Sequence, residues 1–226
     1  MHDAKNIGRI FGALQLTRLV TAPIQNFTLM DPVVAPPGFL VNAAAHPLNL
    51  PLAVMIAFAT ALVSIAIAAI AWPVFRRAAP TLALAFIALT VVGVTTSLVE
   101  CMTLMSMQSL SQAHAAAPGA DAALYDGLSL VVGRARNWAH YTNLMVGGVA
   151  VGTMFLLMYR GRLVPRAICG FGMAAVLLQL YSLGRPFFGG AVSFGLLAPL
   201  GVAYLALCAW LLWRGFREPE RVPSVG

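Results

Sequence analysis

Long apolar runs separated by short polar segments dominate the chain. Because a helix crosses the hydrocarbon core of a bilayer in about 20 residues, each apolar run of that length predicts a transmembrane helix. A further segment, 8–30, is apolar enough to span although Gln15, Arg18 and Gln25 interrupt it. The pattern predicts an all-α membrane protein, a bundle of six transmembrane helices. Besides 8–30, the predicted spans are 50–75, 81–110, 137–159, 163–184 and 191–213.

The segments between the predicted helices differ in charge. Two of them, 31–47 and 111–133, contain aspartates, and we expect 111–133 to be an outer loop that includes a short lid-like helix. Short cytoplasmic loops are enriched in lysine and arginine. The segments on the other side of the membrane, which include both terminal segments, are basic, so we expect both termini to be cytoplasmic. Five spans would place Lys5 and Arg9 outside and fit less well. These basic segments hold ten of the 14 basic residues: Lys5, Arg9, Arg76, Arg77, Arg160, Arg162, Arg166, Arg214, Arg217 and Arg221.

The composition agrees with a single polytopic transmembrane domain that covers residues 1–226. Hydrophobic residues make up 60% of the chain and charged residues 9%, whereas a soluble domain carries about 25% charged residues. The formal net charge of +7 does not indicate nucleic-acid binding, because the cations are grouped between apolar runs and do not cover one exposed face. The expected partner is the lipid bilayer, and the oligomeric state stays open.

Polar residues inside the predicted spans recur at helical spacing. In the fourth span, Arg136, His140 and Asn143 follow the positions i, i+4 and i+7, so they share one face of the helix. In the third span, Thr96 and Glu100 also share a face. Ionisable groups within a membrane are costly to insert and therefore indicate function by default.

The depth of these residues follows from a rise of about 1.5 Å per residue. Glu100 and His140 both fall in the outer part of the bilayer, and Arg185 ends the fifth span on the same side. We expect Glu100, Arg136, His140, Asn143 and Arg185 to converge on one polar pocket. Arg18 lies closer to the middle of the membrane, where we expect it to have a polar partner or to contact a ligand.

The residue types in this pocket predict its chemistry. Arg136, Arg185 and Arg18 suit an anionic headgroup or a carboxylate, which arginine binds bidentately. Glu100 beside His140 would form a titratable pair able to relay a proton, and Asn143 would orient the ligand. A structural ion pair between Glu100 and an arginine is the alternative without a ligand.

Three functions from different classes are consistent with this pattern. The first is binding of a small amphiphilic or anionic molecule in an outward-facing pocket, in order to hold, transport or sense it. The second is an intramembrane enzyme that uses Glu100 and His140 as acid and base on a lipid-like substrate. The third is a structural or regulatory membrane subunit, whose polar stripes would face a partner's helices.

Neither a metal nor another cofactor is expected. His140 is the one histidine well inside a predicted span, whereas a haem held between helices requires opposed axial ligands. Cys101, Cys169 and Cys208 lie in separate apolar runs without the spacing of a zinc site, which predicts buried free thiols.

Three short motifs point to a known family. Residues 159–166 (YRGRLVPR) followed by Gly170, the closing segment 210–216 (WLLWRGF) and the opening segment 8–12 (GRIFG) resemble the domain-of-unknown-function 4386 family of bacterial integral membrane proteins. The resemblance covers nearly the whole chain. It implies a multi-pass protein of the bacterial inner membrane and supplies no reaction.

Overall fold

The computed structural model describes residues 2–117 and 121–218, which form helices and their connections without a strand. A π-helical stretch, Ile24–Met30, continues the first helix, and two 3-10 turns, Arg185–Phe188 and Phe194–Leu196, connect the last two. In this described part of the chain, the α-helices are α1 His2–Pro23, α2 Asp31–Val34, α3 Phe39–Ala45, α4 Asn49–Ala78, α5 Pro80–Ala116, α6 Ala122–Arg160, α7 Arg166–Gly184 and α8 Ala198–Arg214.

Several helical segments are long and apolar enough to cross a membrane. Within the described residues there are five: Asn49–Ala78, Pro80–Ala116, Ala122–Arg160, Arg166–Phe188 and Phe194–Arg214. They correspond to the five long apolar runs of the sequence. The remaining predicted span, 8–30, falls on α1 and the π-helical stretch. At 22 residues α1 is about 33 Å long, but its polar side chains lower its hydropathy, so a sixth span stays a prediction.

The segment 111–133 differs from the predicted outer loop. Residues up to Ala116 continue α5, and α6 begins at Ala122, so the expected lid-like helix is the first part of α6. Asp121 explains this start, because its Oδ1 accepts hydrogen bonds from the backbone N–H groups of Ala123 and Leu124, at 3.0 and 3.3 Å. A side-chain oxygen at this position satisfies N–H groups that have no partner within the helix.

The packing divides the chain into two compact units. The first consists of the described residues up to Leu19, of Val63–Gly93 and of the described residues from Leu144 onward, and the second of Val20–Leu62 and Val94–Asn143. Helices α1, α4, α5 and α6 contribute residues to both.

The first unit is built around an aromatic cluster. The ring of Phe11 on α1 lies 5.8 Å from the ring of Phe75 and 5.4 Å from that of Phe216, measured between centroids. A Cβ atom added at Gly8 would lie 2.7 Å from the carbonyl carbon of Gly215, a residue with a φ angle of +70° that favours glycine. The start of α1 therefore packs closely against the segment that follows α8.

The second unit has its own apolar core. Met30, Leu50, Leu104 and Met107 are almost fully buried in it. Ser111 on α5 fixes the short helix α3, because its hydroxyl donates to the carbonyl of Leu40 and accepts from the backbone N–H of Ala44, both at 2.8 Å.

Candidate functional site

A buried carboxylate on α5 is the centre of the polar residues in the second unit. Glu100 is 7% exposed, and its Oε1 lies 2.7 Å from Nδ1 of His140 on α6. Because an ionised carboxylate has only acceptor atoms, the imidazole must carry its proton on Nδ1 to form this hydrogen bond. The contact therefore orients the ring of His140 and leaves the lone pair of the neutral imidazole on Nε2.

The other oxygen of Glu100 is held by an amide. Asn143 donates from Nδ2 to Oε2 of Glu100 at 3.0 Å. Thr96 donates in turn from its hydroxyl to Oδ1 of Asn143 at 3.2 Å, which fixes the orientation of the amide. Both oxygens of the carboxylate are thus bound by side chains of α6.

Arg136 supplies the positive charge of the site. Its Nη2 lies 3.8 Å from Oε1 of Glu100, and its side chain is 14% exposed. Its Nη1 donates to Oδ1 of Asn137 at 3.4 Å, while its Nε is buried without a hydrogen-bond partner among the described residues. Arginine has five N–H donors, so the guanidinium retains donors that the described residues do not use.

We call Thr96, Glu100, Arg136, His140 and Asn143 the Glu100 cluster. The structure brings together Glu100, Arg136, His140 and Asn143, because the two stripes face each other in the second unit. Helical periodicity explains why: residues three, four and seven apart lie on one side of a helix. The polar pocket, the part of Arg185 in it and the functional roles of these residues stay predictions.

The cluster is electrically balanced while His140 is neutral. Glu100 contributes one negative charge as a carboxylate, and Arg136 contributes one positive charge. Protonation of His140, whose side chain is 23% exposed, would give the cluster one net positive charge. The arrangement can therefore hold an anion, move a proton, or do both.

Two other predicted site residues lie in the first unit. Arg18 donates from Nη1 to Oε1 of Gln15 at 3.4 Å, and the buried Gln15 donates from Nε2 to the sulfur of Met154 at 3.2 Å. The expected polar partner of Arg18 is thus Gln15, one turn before it. Arg185 is exposed at the start of a 3-10 turn. Contact of Arg18 or Arg185 with a ligand stays a prediction.

Sequence reasoning missed some polar residues that the structure buries. Gln108 is 3% exposed, and neither atom of its amide has a hydrogen-bond partner among the described residues. Ser111 is fully buried. The signal was present for Ser111, because it follows Glu100 by eleven residues, which is about three turns of helix, but the segment was interpreted as a loop.

The groove between α4 and α5 lies on a different face of α5 from the Glu100 cluster. It has a volume of about 910 Å³ and is lined by apolar and small side chains of α4 and α5. Among them, Met102 and Met105 follow Glu100 by two and five residues, which places them about 140–200° around the helix from it. This groove is therefore not the polar pocket that the sequence predicts.

The sequence predicts that the cysteines and the side chains able to bind a metal form no shared site. Cys101, Cys169 and Cys208 are buried and free, as their apolar surroundings predict. In residues 2–117 and 121–218, no three or more histidine, cysteine, aspartate or glutamate side chains form a group that could hold a metal ion.

Comparison with known proteins identifies a family model. A model described as a domain of unknown function, DUF4386, matches residues 10–215, which is most of the chain. Neither the curated proteins nor the solved structures provide a match.

Proposed function

Since the chain belongs to DUF4386, a domain family of unknown function, its activity must be inferred from its own side chains, and we propose that it binds a small anionic or amphiphilic molecule within the membrane. The site is the Glu100 cluster. The observation that carries the proposal is Arg136, a buried guanidinium whose Nε has no hydrogen-bond partner in the described chain.

A hydrogen-bond donor of Arg136 that has no acceptor among the described residues supports an anionic ligand. Its contact with Glu100 is long, at 3.8 Å, and is not the close bidentate geometry that arginine forms with a fully paired carboxylate. A buried donor without an acceptor costs about 1–3 kcal/mol. A carboxylate, sulfonate or phosphate beside Arg136 would satisfy that donor, and an apolar tail would extend into the surrounding bilayer.

Glu100, His140 and Asn143 take supporting roles in this proposal. Glu100 holds the imidazole and the amide in fixed orientations through its two oxygens. Glu100 is buried, and both of its oxygens are bound by side chains of its own chain, so the carboxylate is not free to pair with the helices of another protein. The burial of Glu100 therefore speaks against the alternative of a structural or regulatory subunit that pairs through this residue.

We also propose that the protein resides in the inner membrane with six spans and both termini in the cytoplasm. The contacts of α1 support an even number of spans. Gly8 packs on Gly215, and a Cβ at Gly12 would lie 2.8 Å from Cβ of Leu211, so α1 and α8 run antiparallel. Because the start of α1 lies beside the end of α8, both would emerge on one side of a membrane. The basic residues at these ends make that side the cytoplasm.

Binding of a fluorescent fatty acid to the purified full chain in nanodiscs tests the proposed ligand class. Arg136→Gln removes the anion contact, and we expect it to weaken binding by about tenfold to a hundredfold, since a charge-assisted hydrogen bond contributes about 1.5–3 kcal/mol. Arg134→Gln is the matched control, because Arg134 lies two residues away on the same helix and is exposed. Equal affinities of the two variants would contradict the proposal.

A second candidate function is an intramembrane enzyme acting on a lipid-like substrate. The observation that favours it is the 2.7 Å contact between Oε1 of Glu100 and Nδ1 of His140, because a carboxylate that orients an imidazole is a common arrangement for general acid–base catalysis. Incubation with a phospholipid that releases a fluorescent fatty acid on hydrolysis tests it. Faster release of the fluorescent fatty acid by the natural chain than by His140→Gln would support an enzyme. Equal rates of release would exclude this reaction.

A further inference from the structure

The hydrogen bond between Glu100 and His140 fixes which nitrogen of the imidazole can take up a proton. While Glu100 is ionised, it accepts from Nδ1–H at 2.7 Å, so a neutral His140 has its lone pair on Nε2. Among the described residues, Nε2 makes no hydrogen bond. The side chain is 23% exposed, and Nε2 is the ring nitrogen at which a further proton would bind.

In this tautomer the site is unsuited to an anion. The lone pair of Nε2 presents partial negative charge, and Glu100 already balances the charge of Arg136. An anion placed beside Arg136 would then leave a net negative charge in a medium of low dielectric constant, where an unbalanced charge is costly.

We propose that the site binds an anion together with one proton, which is held on Nε2 of His140. This inference rests on the proposed function and names a second ligand of the same site. Protonation converts Nε2 from an acceptor into a donor and gives the Glu100 cluster one net positive charge. The anion then restores neutrality, so that one negative and one positive charge enter together and the Nδ1–H bond to Glu100 is retained.

The other titratable or charged groups near His140 fit this balance. On α5 these are Glu100 and, next to it in the chain, the buried thiol of Cys101. On α6 they are Arg136 and Tyr141, whose ring centroid lies 6.1 Å from that of His140. Among these described groups, His140 is the one whose ring nitrogen, Nε2, can take up a proton while the bond of Nδ1 to Glu100 is kept.

Calorimetric titration of the full chain in phosphatidylcholine nanodiscs with octyl sulfonate tests this inference. A sulfonate stays ionised, so any proton taken up binds to the protein. Titrations in buffers of different ionisation enthalpy, from about pH 6 to about pH 9, count the protons bound. We expect up to about one proton to be taken up per anion bound, and the Kd to rise about tenfold per pH unit wherever one proton is taken up. Nanodiscs without protein serve as the blank.

The outcomes separate this inference from the function on which it rests. Binding without proton uptake at any pH would overturn the inference and leave anion binding in place. Binding that is absent, or as strong in Arg136→Gln as in the natural chain, would overturn both. The variant His140→Gln cannot take up the proton, so it should bind octyl sulfonate at every pH about as weakly as the natural chain does at the alkaline end of the range, and without proton uptake. Uptake that persists in this variant would place the proton elsewhere and refute the inference.

Discussion

Oε1 of Glu100 and Nδ1 of His140 lie 2.7 Å apart, although the two residues are separated by 40 positions in the chain. The contact joins α5 to α6 within the second unit. Glu100 also binds Asn143 and faces Arg136, so loss of its carboxylate changes the surroundings of three side chains at once.

Glu100→Ala should destabilise the protein strongly. Removal of one partner of a buried ion pair leaves an uncompensated charge, here on Arg136, and costs about 3–5 kcal/mol. Glu100→Gln keeps an acceptor for His140 and should cost less. Unfolding by sodium dodecyl sulfate in mixed micelles measures both. Asp126→Ala, at an exposed position of the same unit, is the control, and a loss no larger than that of the control would contradict this prediction.

Thr96 and Asn143 should be energetically coupled. Their side chains form a hydrogen bond of 3.2 Å, and such bonds between membrane helices contribute about 0.6 kcal/mol on average and up to about 1.7 kcal/mol. A double-mutant cycle with Thr96→Val and Asn143→Leu should yield a coupling in this range. A second cycle, which combines Thr153→Val with Asn143→Leu, is the control, because the Thr153 hydroxyl bonds within its own helix to the carbonyl of Val149. We expect additive effects in the control cycle. Additive effects in the Thr96 cycle as well would show that the Thr96 contact contributes nothing.

Gly8→Ala should destabilise the first unit. A methyl group at Gly8 would collide with the backbone of Gly215 and Phe216, which cannot move as a flexible side chain would, and overpacking of this kind costs about 1–3 kcal/mol. Gly170→Ala on α7 is the matched substitution, since a Cβ there meets no atom within 4 Å, and it should be neutral or stabilise by up to about 1 kcal/mol. Thermal melting of the two variants, compared in the same detergent, decides the matter. A melting temperature of Gly8→Ala at or above that of Gly170→Ala would be inconsistent with the close approach.

Cysteine labelling in intact cells should distinguish six spans from five. The three natural cysteines are buried and are first replaced by alanine. Single cysteines are then introduced for Asn6, Asp121 and Glu218, which are all exposed. With six spans and cytoplasmic termini, an impermeant maleimide should label position 121 and spare positions 6 and 218. Labelling of position 6 but not of 218 would instead indicate five spans.

The sequence by itself determined the class of the protein and the composition of its polar stripes. Apolar runs longer than the bilayer core predict membrane helices whatever their neighbours are, because length and hydropathy are local properties. Helical periodicity is local as well, so the spacing of Arg136, His140 and Asn143 was enough to place them on one face. The same spacing linked Thr96 to Glu100.

The tertiary structure decided how the stripes meet and where the helices end. The spacing cannot specify that Nδ1 of His140 faces one oxygen of Glu100 and Nδ2 of Asn143 the other, because the register between two helices depends on packing along their whole contact. The cap at Asp121, the burial of Gln108 and the approach of Gly8 to Gly215 likewise depend on residues distant in the chain or on backbone geometry. Local patterns fix which side chains share a face, and only the packing of helices against one another selects their partners.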